Sequence, residues 1–250
     1  MGHSKITVLH CHPAEPPQRE PGIVIPLETL RAWILRGSIT RHLFRYEEAR
    51  LLTYRMEIVP KPFLTATLIR LLSRKACWIE DEQGQQREIT LRVLMSLFRL
   101  FLKDLWTKNK LIRRSLSEIE NLSSEADARP LRNRFLDPSA PPVYLRTDLA
   151  FGVRCGGSIG HIAGVLNLLD EYTGKPIFLT TDVIPTVRED LEVHCISPDR
   201  AFWDFRELPT VHFNERFEQS VRDYLKERKI SFIYQRYSIN NYSGLKLARC

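Results

Sequence analysis

The sequence lacks the features that define secreted, membrane-spanning and phosphate-loop proteins. Its five cysteines include no Cys-x-x-Cys pair and are odd in number, which disfavours a disulfide framework and indicates a reducing compartment. No long stretch is free of charge and no secretory signal opens the chain, so we predict a cytoplasmic protein without a spanning helix. Nucleophile elbows, His-Glu-x-x-His motifs and Walker loops are also absent, which disfavours phosphoryl transfer of the P-loop kind.

The formal charge of +7 is confined to the front of the chain. Residues 1–142 carry 23 basic and 16 acidic side chains, whereas residues 143–250 carry 14 of each. Excess cations attract nucleic acid or anionic lipid, although a charge run is usually only a solvated surface. We predict no nucleic-acid partner, because the basic residues are mixed with aliphatic ones and no nucleic-acid-binding module is recognisable.

Turn-forming residues divide the chain into a front region, a linker and a back region. Apolar residues at helical spacing over 27–56, with a break at Gly37-Ser38, and over 63–72 predict a mainly helical region across residues 1–120. Serines and prolines in residues 121–142 predict the linker and the domain boundary.

The segment 89–114 is predicted to be an amphipathic helix with a basic stripe. Arg92, Ser96, Arg99 and Lys103 follow one another at steps of four, three and four residues, so they share one face of a helix. The remaining face is wide and apolar, and the segment holds seven basic residues and one acidic residue. Such a helix suits the surface of an anionic membrane, or equally a helical core or a partner subunit.

Residues 143–250 alternate short apolar strands with helices, which predicts an α/β domain. The expected strands cover 143–148, 176–181, 193–196 and 231–235, and a glycine-rich turn at 155–160 precedes the first helix. This alternation is typical of a mostly parallel sheet with helices on both faces, as in a Rossmann-like domain.

The glycine-rich turn holds the first candidate ligand-binding residues, because ligands of open α/β sheets bind at the carboxyl ends of the strands. Gly156 and Gly157 permit close approach to the backbone, and the helix that follows offers free N–H groups. Ser158 either contacts the ligand or caps the helix. His161, in the first helical turn, is the candidate catalytic residue. The dinucleotide motif G-x-G-x-x-G is not present.

Further candidates end the later strands of the back region. Asp182 follows the second strand, and Gln235 and Arg236 end the fourth, so all three are predicted to bind substrate. No metal site is predicted. The possible ligands near the amino terminus are expected to be bystanders: His3, His10, Cys11 and His12.

Residues 143–250 resemble the amino-terminal domain of family 4 glycosyltransferases, which have the GT-B fold. The resemblance rests on GGSIGHIAGV at 156–165, with support from PIFLTTD at 176–182 and YQRYS at 234–238. In that family the glycine loop lines a cleft between two Rossmann domains, near the donor phosphates and the acceptor. The resemblance implies this role for Gly156, Gly157 and Ser158, and also for His161.

The resemblance further implies transfer of a sugar from a nucleotide-sugar to a polysaccharide or glycolipid acceptor at the cytoplasmic face of the membrane. The nucleotide-sugar would be a substrate, and no cofactor is expected. Complete family members carry a second Rossmann domain that holds most of the donor site, so the chain is expected to be a truncated and inactive fragment. The alternative is a non-catalytic membrane- or partner-binding module with a small α/β domain.

Overall fold

The computed structural model describes residues 5–10, 22–128 and 137–249, and the chain divides into two compact units. The first unit contains Met1–Trp106 and the segment Arg200–Arg206, and the second contains Thr107–Asp199 and Glu207–Cys250. Each unit has its own sheet, and parallel strand pairs dominate both sheets. The predicted α/β class is confirmed at this level.

The first unit is built on a five-stranded sheet. Its strands are β1 (Lys5–Leu9), β2 (Ile23–Pro26), β3 (Tyr46–Thr53), β4 (Ser73–Asp81) and β5 (Gln86–Glu88). They lie in the order β2-β1-β3-β4-β5, and every neighbouring pair is parallel except β4 with β5. The helices of this unit are α1 (Leu27–Leu35), α2 (Pro62–Leu72) and the first part of α3 (Leu91–Ala128).

Only one face of this first sheet is fully buried. Alternate residues of β1 and β3 pack in a core with apolar residues of α1, α2 and α3. The other face carries ion pairs between neighbouring strands, Lys5 with Glu48 at 3.4 Å and Arg50 with Glu80 at 3.2 Å. Its strands therefore alternate between apolar and polar residues, as is typical of a sheet that is buried on one face.

The prediction of a mainly helical region over residues 1–120 is wrong, because the described part of that region contains five strands. The predicted helix over 27–56 ends at Leu35, and residues 46–53 form β3 between β1 and β4. The sequence YEEARLLT is rich in helix-forming residues, but pairing on both sides overrides this weak preference. The helix predicted over 63–72 is confirmed as α2.

The second unit is built on a four-stranded sheet in which all neighbouring pairs are parallel. Its strands are β6 (Val143–Leu145), β7 (Ile177–Thr180), β8 (Glu192–Cys195) and β9 (Ile233–Gln235), in the order β8-β7-β6-β9. Besides the last part of α3, its helices are α4 (Gly157–Leu168), α5 (Leu208–Leu225) and α6 (Ser243–Leu247). Residues of β6 pack alternately with α5 and α6 and with α4, so both faces are buried, as predicted.

The division between the units differs from the predicted linker at 121–142. Helix α3 continues through residue 128, and residues 129–136 lie outside the described part of the chain. The assignment of Arg200–Arg206 to the first unit was not predicted. Among the described residues, no helix is both long enough and apolar enough to cross a membrane.

Candidate functional site

A buried arginine organises the carboxyl end of β6. The Arg146 side chain is only 2% exposed and donates to both carboxylate oxygens of Asp148, from Nε at 3.2 Å and from Nη2 at 3.0 Å. It also donates to the backbone carbonyls of Ala150 at 2.6 Å and Asp182 at 3.3 Å. A guanidinium can be buried at tolerable cost only with such partners, so its position and that of Asp148 are fixed together.

Asp148 joins the ends of three neighbouring strands. Its Oδ2 accepts a hydrogen bond from Arg236 Nη1, which follows β9, at 3.1 Å. Its backbone carbonyl accepts one from Thr181 Oγ1, which follows β7, at 2.6 Å. The carboxylate remains partly exposed, as does the Arg236 side chain at 27%. The predicted residue Arg236 therefore lies at a polar surface that it shares with Asp148.

Asp182 lies at the same edge and is tied to the loop after β6. Its Oδ2 accepts the Gly152 N–H at 2.8 Å, and its backbone carbonyl accepts a bond from Thr180 Oγ1 at 2.8 Å. The two arginines and two aspartates at this edge balance in formal charge. Any excess positive potential must therefore come from elsewhere, and the start of α4 is one source.

The predicted glycine turn leads into α4 and is open to solvent. Gly156 is the N-cap residue, with a positive φ of 114° that favours glycine, and its helix end carries no side-chain cap. A Cβ atom built on Gly156 or Gly157 would meet no atom within 4 Å. The capping role considered for Ser158 is wrong, because Ser158 is inside the helix. The first residues of α4 are exposed, and no side chain caps the N–H groups at this helix end.

The candidate catalytic residue His161 is exposed and lies one turn into α4. Its Nε2 is 3.5 Å from the hydroxyl of Tyr234 on β9. The Tyr234 ring stacks on that of Tyr144 in β6, with 4.9 Å between ring centroids. These contacts place His161 beside the boundary between β6 and β9.

The Tyr144 hydroxyl is an unexplained polar group next to this boundary. It is completely buried, and it has no hydrogen-bond partner among the described residues. Burial, together with Tyr234 and Asp148, raises the pKa of Tyr144 to about 12, against opposing effects of Arg236 and Arg146. The phenol therefore stays neutral at physiological pH.

Gln235 has a different role from the one predicted. Its Oε1 accepts the Gly244 N–H at 2.9 Å, and its Nε2 donates to Asn241 Oδ1 at 3.0 Å. A side chain at Gly244 would collide with the Gln235 amide. Gln235 thus holds the start of α6 against β9 and uses both ends of its amide within the fold.

Sequence reasoning missed Arg146 and Asp148 as functional candidates. The signal was the triplet Arg-Thr-Asp directly after the buried strand Val143–Leu145. Charged residues at the end of a strand that is buried on both faces lie on the ligand side of a parallel sheet. The same rule had drawn attention to Asp182 and Arg236, whose predicted role in binding substrate stays a prediction.

The carboxyl edge of the first sheet holds fewer charged groups. His10 Nδ1 lies 2.9 Å from Thr53 Oγ1, at the ends of β1 and β3. Burial, and secondarily Arg31, lowers the pKa of His10. The other possible metal ligands near it, His3, Cys11 and His12, lie outside the described residues. No group of three potential metal ligands occurs in the described part of the chain.

Comparisons with protein-family models, with curated proteins and with solved structures find no match. The resemblance to family 4 glycosyltransferases therefore stays a prediction. The functional assignment depends on the geometry of the site.

Proposed function

We propose that the protein is a nucleotide-sugar-dependent glycosyltransferase, or part of one, and that its second unit contacts the donor phosphates at the carboxyl edge of its sheet. The observation that carries this proposal is the open Gly156-Gly157 turn at the start of α4. It lies at the same sheet edge as the Arg146, Asp148 and Arg236 cluster.

The strand order supports a ligand at this edge. When the strands of the second unit are numbered along the chain, the order β8-β7-β6-β9 reads 3-2-1-4. This matches the first four strands of the doubly wound order 3-2-1-4-5-6, in which the ligand binds where strands 1 and 4 diverge. Asp148 and Arg236 follow the two strands at that point.

The local chemistry suits a sugar diphosphate. The uncapped N–H groups of α4 and the positive end of its dipole favour a phosphate group. Asp148 and Arg236 are partly exposed and offer a fixed acceptor and a fixed donor, which suit sugar hydroxyls. Pre-organised N–H dipoles would also stabilise the diphosphate as it departs. His161, exposed on the same helix, would contact the reacting sugar or the acceptor.

This assignment makes the nucleotide-sugar a substrate and requires no cofactor. The resemblance at residues 156–165 supplies the reaction class, with a polysaccharide or glycolipid as acceptor. Ser158 and Asp182 would add polar contacts at the rim, whereas Gln235 would act by positioning α6.

The decisive experiment compares two glycine-to-valine variants of α4. Gly157→Val fills open space at the helix start, whereas Gly164→Val makes the same change farther along the helix, where a Cβ also meets no atom within 4 Å. Calorimetric titration with UDP, GDP and their hexose conjugates should show at least a tenfold loss of affinity for Gly157→Val. Gly164→Val should bind like the unaltered protein.

Two outcomes would contradict the proposal. Equal affinity in the two variants would remove the glycine turn from the site. An absence of binding by the unaltered protein at millimolar nucleotide would favour the alternative of a non-catalytic module. Matching circular dichroism spectra and melting temperatures of the variants would show that both are folded.

A further inference from the structure

Helix α3 presents an apolar stripe to solvent in the first unit. Five residues at steps of four, three, four and four share one face of the helix and are all exposed: Leu91, Met95, Phe98, Leu102 and Trp106. Leu91 is 75% exposed and Trp106 is 84% exposed. A different face of the same segment packs in the core through Leu94 and Leu97. Phe98 also contacts the Phe63 ring of α2, with 5.2 Å between ring centroids, so the two ends of the stripe, Leu91 and Trp106, are its most exposed parts.

A basic stripe runs beside the apolar one. Arg92, Arg99 and Lys103 each directly follow a residue of the apolar stripe, and all three are exposed, as the sequence predicted. The carboxylate in this segment, Asp104, is only 2% exposed and accepts the Phe202 N–H at 2.7 Å. All the charges that Leu91–Trp106 presents to solvent are consequently positive.

We propose that this face of α3 docks on an anionic lipid surface. The apolar stripe, with a phenylalanine at its middle and a tryptophan at its end, would lie in the interface between headgroups and acyl chains. The long basic side chains would extend to the lipid phosphates. The stripe is about 22 Å long at the rise of an α-helix, which suits a helix that lies along the membrane plane.

Charge complementarity favours lipid over a second copy of the chain. Two copies that met through this face would bring the basic stripes together without an exposed carboxylate between them. A lipid surface offers both a negative potential for the arginines and lysine and an apolar phase for the stripe. This docking does not depend on the donor site of the second unit.

The test measures sedimentation of the protein with vesicles of phosphatidylcholine that contain 30% phosphatidylglycerol, or none. The basic variant Arg92→Gln/Arg99→Gln/Lys103→Gln should partition about 100-fold less strongly onto the anionic vesicles, because each cation near such a surface contributes roughly fivefold. The matched control is Arg36→Gln/Arg41→Gln/Arg45→Gln, which removes three exposed cations elsewhere in the first unit. The control should bind within about threefold of the unaltered protein.

The apolar stripe is tested separately with Leu91→Ser/Leu102→Ser/Trp106→Ser, which should abolish binding. Fluorescence of Trp106 should shift to the blue and be quenched by brominated acyl chains, and a Trp106→Phe variant should lose the shift. Equal losses in the basic variant and its control, or no vesicle binding by the unaltered protein, would overturn the proposal. Concentration-dependent dimerisation through the stripe would also overturn it. Nucleotide titration of the same variants should be unchanged, so failure of one proposal leaves the other intact.

Discussion

The two sheets differ in how many of their faces are buried. The first sheet packs helices on one face and carries the ion pairs Lys5–Glu48 and Arg50–Glu80 on the other. The central strands of the second sheet, β6 and β7, are buried on both faces. A strand with one polar face mixes charged and apolar residues, whereas a strand with two buried faces is continuously apolar. This difference explains why the sequence predicts the second sheet better than the first.

The carboxyl edges of the two sheets also differ, in how their charged residues are bonded. In the first unit, Asp81 ends β4 but its Oδ1 accepts the N–H groups of Gln83 and Gln85, both at 3.0 Å. That carboxylate stabilises its own turn. In the second unit, Asp148 connects Arg146 and Arg236 from separate segments of the chain. A carboxylate whose hydrogen bonds lie within its own turn has a structural role. A carboxylate that meets charged side chains from distant parts of the chain marks a candidate site.

The largest expected effect is a difference in the free energy of unfolding between variants at these two edges. Replacing Arg146 with Leu leaves Asp148 with fewer donors and two backbone carbonyls without theirs. We expect the free energy of unfolding to fall by about 3 kcal/mol in urea titrations. Asp81→Ala, which removes only a turn-stabilising acceptor, should cost about 1 kcal/mol. Similar losses in the two variants would erase the distinction between the edges.

Two buried tyrosines offer a matched test with opposite signs. Tyr46 in β3 has its hydroxyl 3.0 Å from His42 Nδ1, whereas the Tyr144 hydroxyl has no partner among the described residues. Tyr46→Phe should lower the free energy of unfolding by about 1 kcal/mol, and Tyr144→Phe should raise it by about 1 kcal/mol. Thermal and urea denaturation measure both changes. A loss of stability in Tyr144→Phe would mean that the hydroxyl is bonded in solution.

A pH-dependent effect on stability is expected in the first unit. Burial, with a contribution from Asp104, raises the pKa of Asp204 from 3.8 to about 6. The folded chain therefore binds more protons than the unfolded chain between these values, so this group lowers stability as pH rises from about 4 to 6. Asp204→Asn removes the effect. Its melting temperature, relative to the unaltered protein, should be higher at pH 7.5 than at pH 4.

The exposed carboxyl of Asp223 on α5 supplies the control for this pH effect. Asp223→Asn should shift the melting temperature by a similar amount at both pH values. A pH-independent difference for Asp204→Asn would show that the side chain titrates normally in the folded protein.

The sequence predicted the second unit because apolar residues recur at clearly different spacings in its strands and in its helices. The apolar runs at 177–180 and 143–145, and the glycine turn before α4, are local signals. Strand β3 was missed because Glu47, Glu48 and Ala49 favour a helix locally, and only pairing with β1 and β4 makes a strand. Long-range pairing leaves no mark in a single window of sequence.

The site was predicted in part for the same reason. Asp182 and Arg236 were found by their positions after strands, but the bond between Arg236 and Asp148 spans 88 residues. The structural role of Gln235 was hidden because it depends on Gly244, whose close approach is a tertiary contact. Position along a strand predicts the edge of the sheet, and only the folded chain decides which side chains remain available there.

The segment Arg200–Arg206 has a consequence for synthesis on the ribosome. Asp104 is buried with Phe202 as a backbone partner, and the two residues are 98 positions apart. At about 5–20 residues per second, that partner is translated roughly 5–20 s after Asp104. Until then the nascent first unit lacks the Phe202 N–H that Asp104 accepts in the folded chain, and a pause in translation before residue 200 would prolong that interval.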